Sequence, residues 1–261
     1  MQRVRLDSLL AERGLFESRS RAAAAVLAGA VHLGPGRRRA EKPGQLVDPA
    51  VELSVEGAPP YVSRGGVKLA NALDALQVSP AGRRCLDVGA STGGFTDCLL
   101  QRGAAEVIAL DVAYGELHWR LREDPRVVVM ERVNARAIGS LPFAPSLIAI
   151  DVSFILLRTV LPSVLACAAP EFDCLAMVKP QFEVGRDGVS RGGVVRDVAL
   201  RRGAVLDVAL SAVELGASVC GFAPSGLPGP AGNRETFVWL AEGGRAGALA
   251  DVATAVDEVD A

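Results

Sequence analysis

Histidine is nearly absent from this chain: its 261 residues include two, His32 and His118. Catalysis built on histidine, or a histidine-rich metal site, is therefore disfavoured, because imidazole is the usual base near neutral pH and the commonest metal ligand. Cysteine is sparse too. Cys85, Cys98, Cys167, Cys174 and Cys220 show no CxxC spacing and stand mostly within apolar runs. Buried reduced thiols are expected, with neither a disulfide framework nor a zinc site. No excess charge stands out: the formal net charge is -2, so a polyanionic partner has to be met by local patches. Long apolar runs are missing as well. The longest small-apolar stretch, "AAAAVLAGAV" (Ala22–Val31), falls short of the ~20 residues that span a bilayer. The opening "MQRVRLDSLLAERG" scatters charges through its apolar residues and lacks a signal-peptide hydrophobic region. A soluble, cytoplasmic protein without a membrane partner is expected, and no repeat period is visible.

Half of the residues are hydrophobic. That is enough for one large domain with a small companion. The first sixty or so residues differ from the rest. "RLDSLLAERG" (Arg5–Gly14) has Leu6, Leu9 and Leu10 at helical spacing and Gly14 as a stop. "ESRSRAAAAVLAGA" (Glu17–Ala30) reads as a second helix with Ser18 as cap and Gly29 near its end. "VHLGPGRRRAEKPGQLV" and "AVELSVEG" read as short β-type pieces joined by Gly and Pro turns. Basic side chains decorate this unit: Arg3, Arg5, Arg19, Arg21, Arg37, Arg38, Arg39 and Lys42, with Arg64 following. Charge alone does not distinguish them from ordinary solvated arginines. "GAPP" (Gly57–Pro60) has linker composition. The expected division is an N-terminal unit over residues 1–56, a linker over 57–62, a main domain over 63–245 and an acidic tail over 246–261.

After the linker the pattern changes. "RCLDVGA", "EVIALDV", "RVVVMER", "SLIAIDVSF" and "DCLAMVKP" are apolar strands spaced by helical or loop segments. A long helical candidate follows over Val194–Leu215, then two closing strands in "SVCGFAPS" and "ETFVWLAE". The final "ALADVATAVDEVDA" reads as an acidic surface helix. Strands alternating with helices imply an α/β fold: a doubly wound, mostly parallel sheet covered on both faces.

"LDVGASTGGFTD" (Leu86–Asp97) joins an apolar strand to a helical pattern. Gly89, Gly93 and Gly94 let the backbone turn tightly and approach a ligand, and in open α/β sheets ligands bind beyond the carboxyl ends of the strands. Ser91 stands where a dinucleotide fingerprint has its second glycine, and no Gly-Lys-Ser/Thr follows, so neither an NAD loop nor a P-loop is indicated. Asp87 lies at the tip of the first strand. Asp111 ends the second, at the place where an acidic residue takes a ribose hydroxyl pair. Asn134 follows the third, where an adenine amino group could be met. Singly, Asp and Asn are common turn and cap residues; together, at three successive strand ends, they favour a pocket. The set resembles the cofactor site of class I methyltransferases that use S-adenosylmethionine.

Four charged residues remain. Lys68 lies in "YVSRGGVKL", Asp151 ends the fourth strand, Lys179 ends the fifth, and Glu235 opens the last. Pro180 biases Lys179 toward an extended backbone. The carboxyl ends of adjacent parallel strands converge, so Asp151 and Lys179 should be neighbours; the places of Lys68 and Glu235 do not follow from periodicity. The four could form a structural ion-pair cluster. Alternatively, a buried lysine beside a second ammonium is disfavoured in its charged form and becomes a competent base. Methyl transfer to a sugar hydroxyl needs one.

Here the resemblance becomes specific. "RLDSLLAERGLFESRSRAAAAVLAGAV" is similar to the RNA-binding module of the ribosomal-protein-S-four type. "VSRGGVKL", "LDVGASTGGFTD", "LDVAYGEL", "DPRVVVMERVNAR", "DVSFI", "VKPQFEVG", "GGVVRD" and "SGLPGPAGNRETFVWL" are similar, in order, to an FtsJ-like catalytic domain. The chain thus resembles the TlyA family, also labelled hemolysin-like, within the FtsJ-type ribose 2′-O-methyltransferases. The resemblance implies a Rossmann-like methyltransferase domain behind a small α+β RNA-binding domain. It implies methyl transfer from S-adenosylmethionine to a ribose 2′-hydroxyl of ribosomal RNA, typically of cytidine, free or in a ribosomal subunit. The family's Lys-Asp-Lys-Glu tetrad falls on Lys68, Asp151, Lys179 and Glu235, with Lys179 as base. The implied cofactor set is Asp87, Gly89, Ala90, Ser91, Thr92, Gly93, Gly94, Phe95, Asp111, Asn134 and Asp151, and the basic residues above become the RNA contacts. No metal is implied. Two departures are visible: Tyr61 stands near a place where the family often has Trp, and "VHLGPGRRRAEK" is richer in arginine than the usual turn. A non-catalytic RNA-binding or ribosome-assembly factor is the second reading. A membrane-lysing protein finds no spanning or cationic amphipathic helix to support it.

Overall fold

The computed structural model describes residues 3–16, 18–57, 60–229 and 231–259. The chain forms two units, one comprising residues up to Pro60 together with His118–Arg120, the other Tyr61–Leu117 and Leu121–Ala261.

In the first unit, β1 (Val4–Arg5) pairs antiparallel with β4 (Leu46–Val47), and β2 (Val31–Leu33) lies between β3 (Arg38–Arg39) and β5 (Leu53–Val55). Helix α1 (Leu6–Glu12) buries Leu6, Leu9 and Leu10, the spacing read from the sequence. Helix α2 (Arg19–Leu27) is capped by Ser18, whose hydroxyl accepts from the Arg21 amide at 3.2 Å. Ala22 and Val26, one turn apart, face the same core as Val31, Leu33 and Val47. The expected start of this helix at Glu17, and the linker's Ala58 and Pro59, lie outside the described residues.

The second unit is a seven-stranded sheet flanked by helices. The elements after residue 60 are, in chain order, α3 (Arg64–Leu76), β6 (Arg84–Val88), α4 (Gly94–Gln101), β7 (Glu106–Leu110), α5 (Trp119–Arg122), β8 (Val127–Met130), β9 (Leu147–Ile150), α6 (Leu161–Leu165), β10 (Asp173–Val178), α7 (Pro180–Glu183), α8 (Val198–Glu214), β11 (Ser218–Pro224), β12 (Thr236–Ala241) and α9 (Val252–Asp257). The strand order is β11-β12-β10-β9-β6-β7-β8. Five strands are parallel; β12 runs antiparallel to both β10 and β11. From β6 the chain winds first outward through β7 and β8, then back to β9 on the other side. That reversal opens a crevice at the carboxyl ends of β6 and β9, where ligands of such sheets bind.

The strands are short and continuously apolar because both faces are covered. One face packs Leu86, Ile108, Ile148 and Val238 under α8; the other packs Cys85, Val107, Leu147 and Phe237 under α3 and α4. Cys85, Cys98 and Cys174 are buried free thiols. Helix α8 starts at Val198, later than the expected Val194, because Asp197 caps it by accepting from the Ala199 amide. Helix α3 was not read from the sequence, since an Arg-Gly-Gly start dilutes its pattern. Val256 of α9 is 2% exposed and joins the main core, so this acidic helix is docked and not merely a surface appendage. Among the described residues no helix is long and apolar enough to cross a membrane.

Candidate active site

Strand ends gather the charged residues. Asp151 follows β9, and its amide donates to the Val88 carbonyl of β6 at 2.9 Å. Lys179 follows β10, where it caps α7 in extended conformation before Pro180. Its amine reaches the Asp151 carboxylate at 2.5 Å and donates to the Ser153 hydroxyl at 2.8 Å. Glu235 immediately precedes β12. Val178 pairs with Thr236 in the antiparallel β10–β12 ladder, so one step further the register sets Lys179 opposite Glu235. Lys68 comes from α3, on the face that also buries Ala72 one turn later. Its ammonium is ion-paired with the Glu235 carboxylate, and both side chains are almost wholly buried. The four residues thus form two ion pairs, Lys68–Glu235 and Lys179–Asp151, on strand ends that the β10–β12 register sets side by side. A buried ion pair holds only when each charge is paired and hydrogen-bonded.

The glycine loop lies beside this group. Gly89 has φ +86°, and a Cβ there would come within 2.5 Å of the Asp151 backbone oxygen. No side chain fits, so glycine is what lets the β6 and β9 strand ends lie together. Gly94 opens α4, and a Cβ on it would strike the Ser63 hydroxyl and the Gly66 amide of α3. Asp87 is fully buried at the end of β6. One of its carboxylate oxygens accepts from the amide and hydroxyl of Thr96, at 2.8 and 2.7 Å. The other, Oδ1, has no hydrogen-bond partner. Burial pushes this carboxyl up to about 7; the Thr96 bonds oppose the shift, while Asp151 and Asp111 add to it.

Asp111 ends β7, and its carboxylate accepts from the Ser91 amide at 2.7 Å and the Ala113 amide at 2.8 Å. Ser91 holds a left-handed backbone at φ +45°, which aims that amide. The Ser91 hydroxyl donates to Glu116 at 3.1 Å. A small recess between these groups is lined by Ala90, Ser91, Asp111, Glu116, Leu117 and Val129. Thr92 is exposed on the loop. Two candidates stand apart. The Phe95 ring is in the core, 5.9 Å from the Phe237 ring, so its part in the loop is backbone only. Asn134 is exposed and closes its own turn by accepting from the Arg136 amide at 3.0 Å.

The fit to S-adenosylmethionine rests on chemistry present in the site. Asp87 Oδ1 is a buried acceptor lacking a donor, and the ligand brings an amine and hydroxyls. Asp111 has a carboxylate that suits a ribose diol, at the edge of the recess beside the loop. Among the described residues no group of three or more His, Cys, Asp or Glu side chains could hold a metal.

The basic residues expected to meet RNA do not act alike. Arg3, Arg37, Arg38, Arg39 and Lys42 are exposed, as is Arg21. Arg5 and Arg19 reach the buried Asp7 at 2.7 and 3.4 Å, and the Arg5 hydrogen bonds hold that carboxyl down at about 2. Arg64, in the second unit, donates to the Pro228 carbonyl at 2.7 Å. Sequence reasoning passed over Ser153, Phe154 and Phe182. Phe154 is 91% exposed at φ +62°, with its ring 4.9 Å from that of Phe182. Both follow the charged strand ends within three residues. An aromatic in a polar strand-end loop was the available signal.

Residues 61–242 match the FtsJ-like methyltransferase family. The chain is an FtsJ-like methyltransferase. A relative from Mycobacterium tuberculosis, the 16S/23S rRNA (cytidine-2′-O)-methyltransferase TlyA, is 49% identical over 92% of this chain and 90% of its own. A solved structure from Streptococcus thermophilus, described as a hemolysin, is 39% identical with a TM-score of 0.73, covering 99% of this chain and 94% of that one. An S-adenosylmethionine-dependent methyltransferase from Listeria monocytogenes shares the fold at 13% identity, with a TM-score of 0.50 over 68% of this chain and all of that one. The methyl donor of this FtsJ-like methyltransferase is S-adenosylmethionine.

Proposed function

We propose that the protein methylates the 2′-hydroxyl of a cytidine ribose in ribosomal RNA, free or within a ribosomal subunit, in the cytoplasm. The observation that carries this reading is the two lysine–carboxylate pairs at strand ends beside the glycine loop. The relative from Mycobacterium tuberculosis, named for this reaction, supports it.

In this reading Asp87, Asp111 and the backbone of Gly89 to Gly94, including Ala90, Ser91, Thr92 and Gly93, hold the methyl donor, with Asn134 at its base. When bound, S-adenosylmethionine supplies an electrophilic methyl whose bond to sulfur breaks as the new oxygen–carbon bond forms. Lys179 accepts the proton of the 2′-hydroxyl as that oxygen attacks. Asp151 holds the Lys179 amine and places negative charge beside the cationic donor. Glu235 pairs with Lys68 and fixes its ammonium at the site, where it helps hold the ribose. Phe154 offers a base a face to stack on, the usual means of gripping an unpaired nucleotide.

Residues 1–56 are the RNA-binding unit in this proposal, with exposed Arg3, Arg37, Arg38, Arg39 and Lys42 to meet phosphate and Arg5, Arg19 and Arg21 as further candidates; Arg64 is a candidate from the second unit. Phosphate contacts of this kind position an RNA without reading its sequence. The experiment is transfer of labelled methyl from S-adenosylmethionine to ribosomal subunits, followed by alkaline hydrolysis. A methyl on the 2′-oxygen protects the adjoining phosphodiester, so label in alkali-resistant dinucleotides containing cytidine is expected. Label confined to alkali-sensitive mononucleotides would overturn the ribose assignment.

A further inference from the structure

We infer that Ser153 is a positioning residue for the reaction, fixing the direction in which the Lys179 amine presents its lone pair. This rests on the reading of Lys179 as the base. The Lys179 amine donates a hydrogen bond to the Ser153 hydroxyl at 2.8 Å and lies in ion contact with the Asp151 carboxylate at 2.5 Å, whose Oδ1 accepts no hydrogen bond. A neutral amine carries two N–H bonds and one lone pair, and rotates freely about its last carbon–nitrogen bond. With no acceptor, the lone pair sweeps a cone. Committing one N–H to Ser153 stops that rotation, and the Asp151 carboxylate repels the lone pair, which is left at the tetrahedral site away from it.

The proton balance is consistent with this. The ribose O–H bond breaks, its proton forms the third N–H of Lys179, and the electron pair left on oxygen forms the bond to methyl carbon. The N–H bond to Ser153 is unchanged throughout, so the amine need not turn during transfer. Positioning of this kind is worth much in rate because the reacting atoms must already be aligned.

The identity of the second acceptor matters. A second carboxylate, at position 153, would further favour the charged amine, which cannot accept a proton. A hydroxyl orients the amine without adding charge. The chain also places Ser153 well: it lies two residues after Asp151, in the same strand-end loop, so one segment supplies both the carboxylate and the hydrogen-bond acceptor. Phe154, next in that loop, is left-handed at φ +62°, a conformation uncommon for an aromatic residue. The backbone there is held to a specific path.

The test is an isosteric pair. Ser153→Thr keeps the hydroxyl; Ser153→Val has the same shape without it. Single-turnover methyl transfer to ribosomal RNA is measured for both, with KM for RNA and the dissociation constant of S-adenosylmethionine. Ser153 is exposed, so neither change should unfold the chain. Ser153→Thr should keep most of the wild-type rate. Ser153→Val should lose up to about tenfold in kcat, the scale of one hydrogen bond, with KM and cofactor affinity unchanged. Equal rates for the two variants would overturn the inference. A loss in Ser153→Val carried by KM would also overturn it, since that marks a substrate contact. Lys179→Ala, run alongside, separates the two layers: full activity there removes the base reading itself. An inactive Lys179→Ala with equal Ser153 variants leaves the base and removes only its positioning partner.

Discussion

Gly89→Ala probes the junction on which the site depends. Gly89 sits at φ +86°, and an added Cβ would lie 2.5 Å from the Asp151 backbone oxygen and 3.0 Å from its carbonyl carbon. Two costs follow. The left-handed backbone costs an alanine roughly 1 kcal/mol. The clash adds roughly 1–3 kcal/mol, in the range of overpacked cores, because the obstacle is backbone at a strand end. Non-bonded heavy atoms settle near ~3.5 Å, so the two strand ends must separate by close to ~1 Å. A displacement of that size at a reacting group costs on the order of 10²-fold in rate. At roughly 2–4 °C per kcal/mol for a domain of this size, Tm should fall by about 5–15 °C. Gly82→Ala is the control. Gly82 has φ +71° and nothing within 4 Å of its Cβ position, so only the backbone cost applies. Thermal unfolding and single-turnover methyl transfer should show a small Tm loss and normal rate for Gly82→Ala, against a large loss of both for Gly89→Ala. Indistinguishable variants would refute the reasoning.

Other consequences follow from the same structure. Burial holds the Asp87 carboxyl at about 7 in the folded chain against 3.8 ordinarily, so the folded state binds this proton more tightly and stability from this group is lost as pH rises from about 4 to 7. Asp87→Asn keeps an oxygen for Thr96, so its Tm relative to wild type should rise between pH 4 and pH 8 while cofactor affinity falls. A parallel pH dependence in the two proteins would count against the buried carboxyl. Phe154→Ala should leave Tm unchanged, because the ring is 91% exposed, and lower kcat/KM on RNA by about tenfold or more, as loss of a base-stacking ring does. Wild-type kcat/KM would show that no base rests there. Replacing Arg37, Arg38 and Arg39 together by alanine should weaken RNA binding and flatten its salt dependence, lowering the slope of log K against log salt by roughly 2 on a single strand. An unchanged slope would place the phosphate contacts elsewhere.

Much of this was legible in the chain. Apolar runs broken by glycine loops specify a doubly wound sheet, because a strand covered on both faces has to be apolar throughout. The meeting of Asp151 and Lys179 follows from parallel topology alone, since their strands are neighbours ending on one edge. The pairing of Lys68 with Glu235 does not: it spans 167 positions and depends on β12 returning antiparallel beside β10. Helix α3 escaped notice because its glycines mask the start, although Leu69, Leu73 and Leu76 carry the helical period. The roles of individual loop residues were less visible still. Phe95 reads like a pocket residue and is core, whereas Ser153 reads like filler and touches Lys179. Side-chain direction at a strand end is set by the local backbone, and a strained residue such as Phe154 leaves no periodic trace.

The central claim is that Lys179 accepts the proton in a methyl transfer to a ribose hydroxyl. Its most direct test is single-turnover transfer from S-adenosylmethionine to ribosomal RNA, with wild type and Lys179→Ala side by side and cofactor binding measured for both. The account predicts label on a ribose 2′-oxygen with the wild type, and a loss of at least about 10²-fold in Lys179→Ala with cofactor affinity retained, as removal of a general base entails. Equal rates for the two proteins would contradict it.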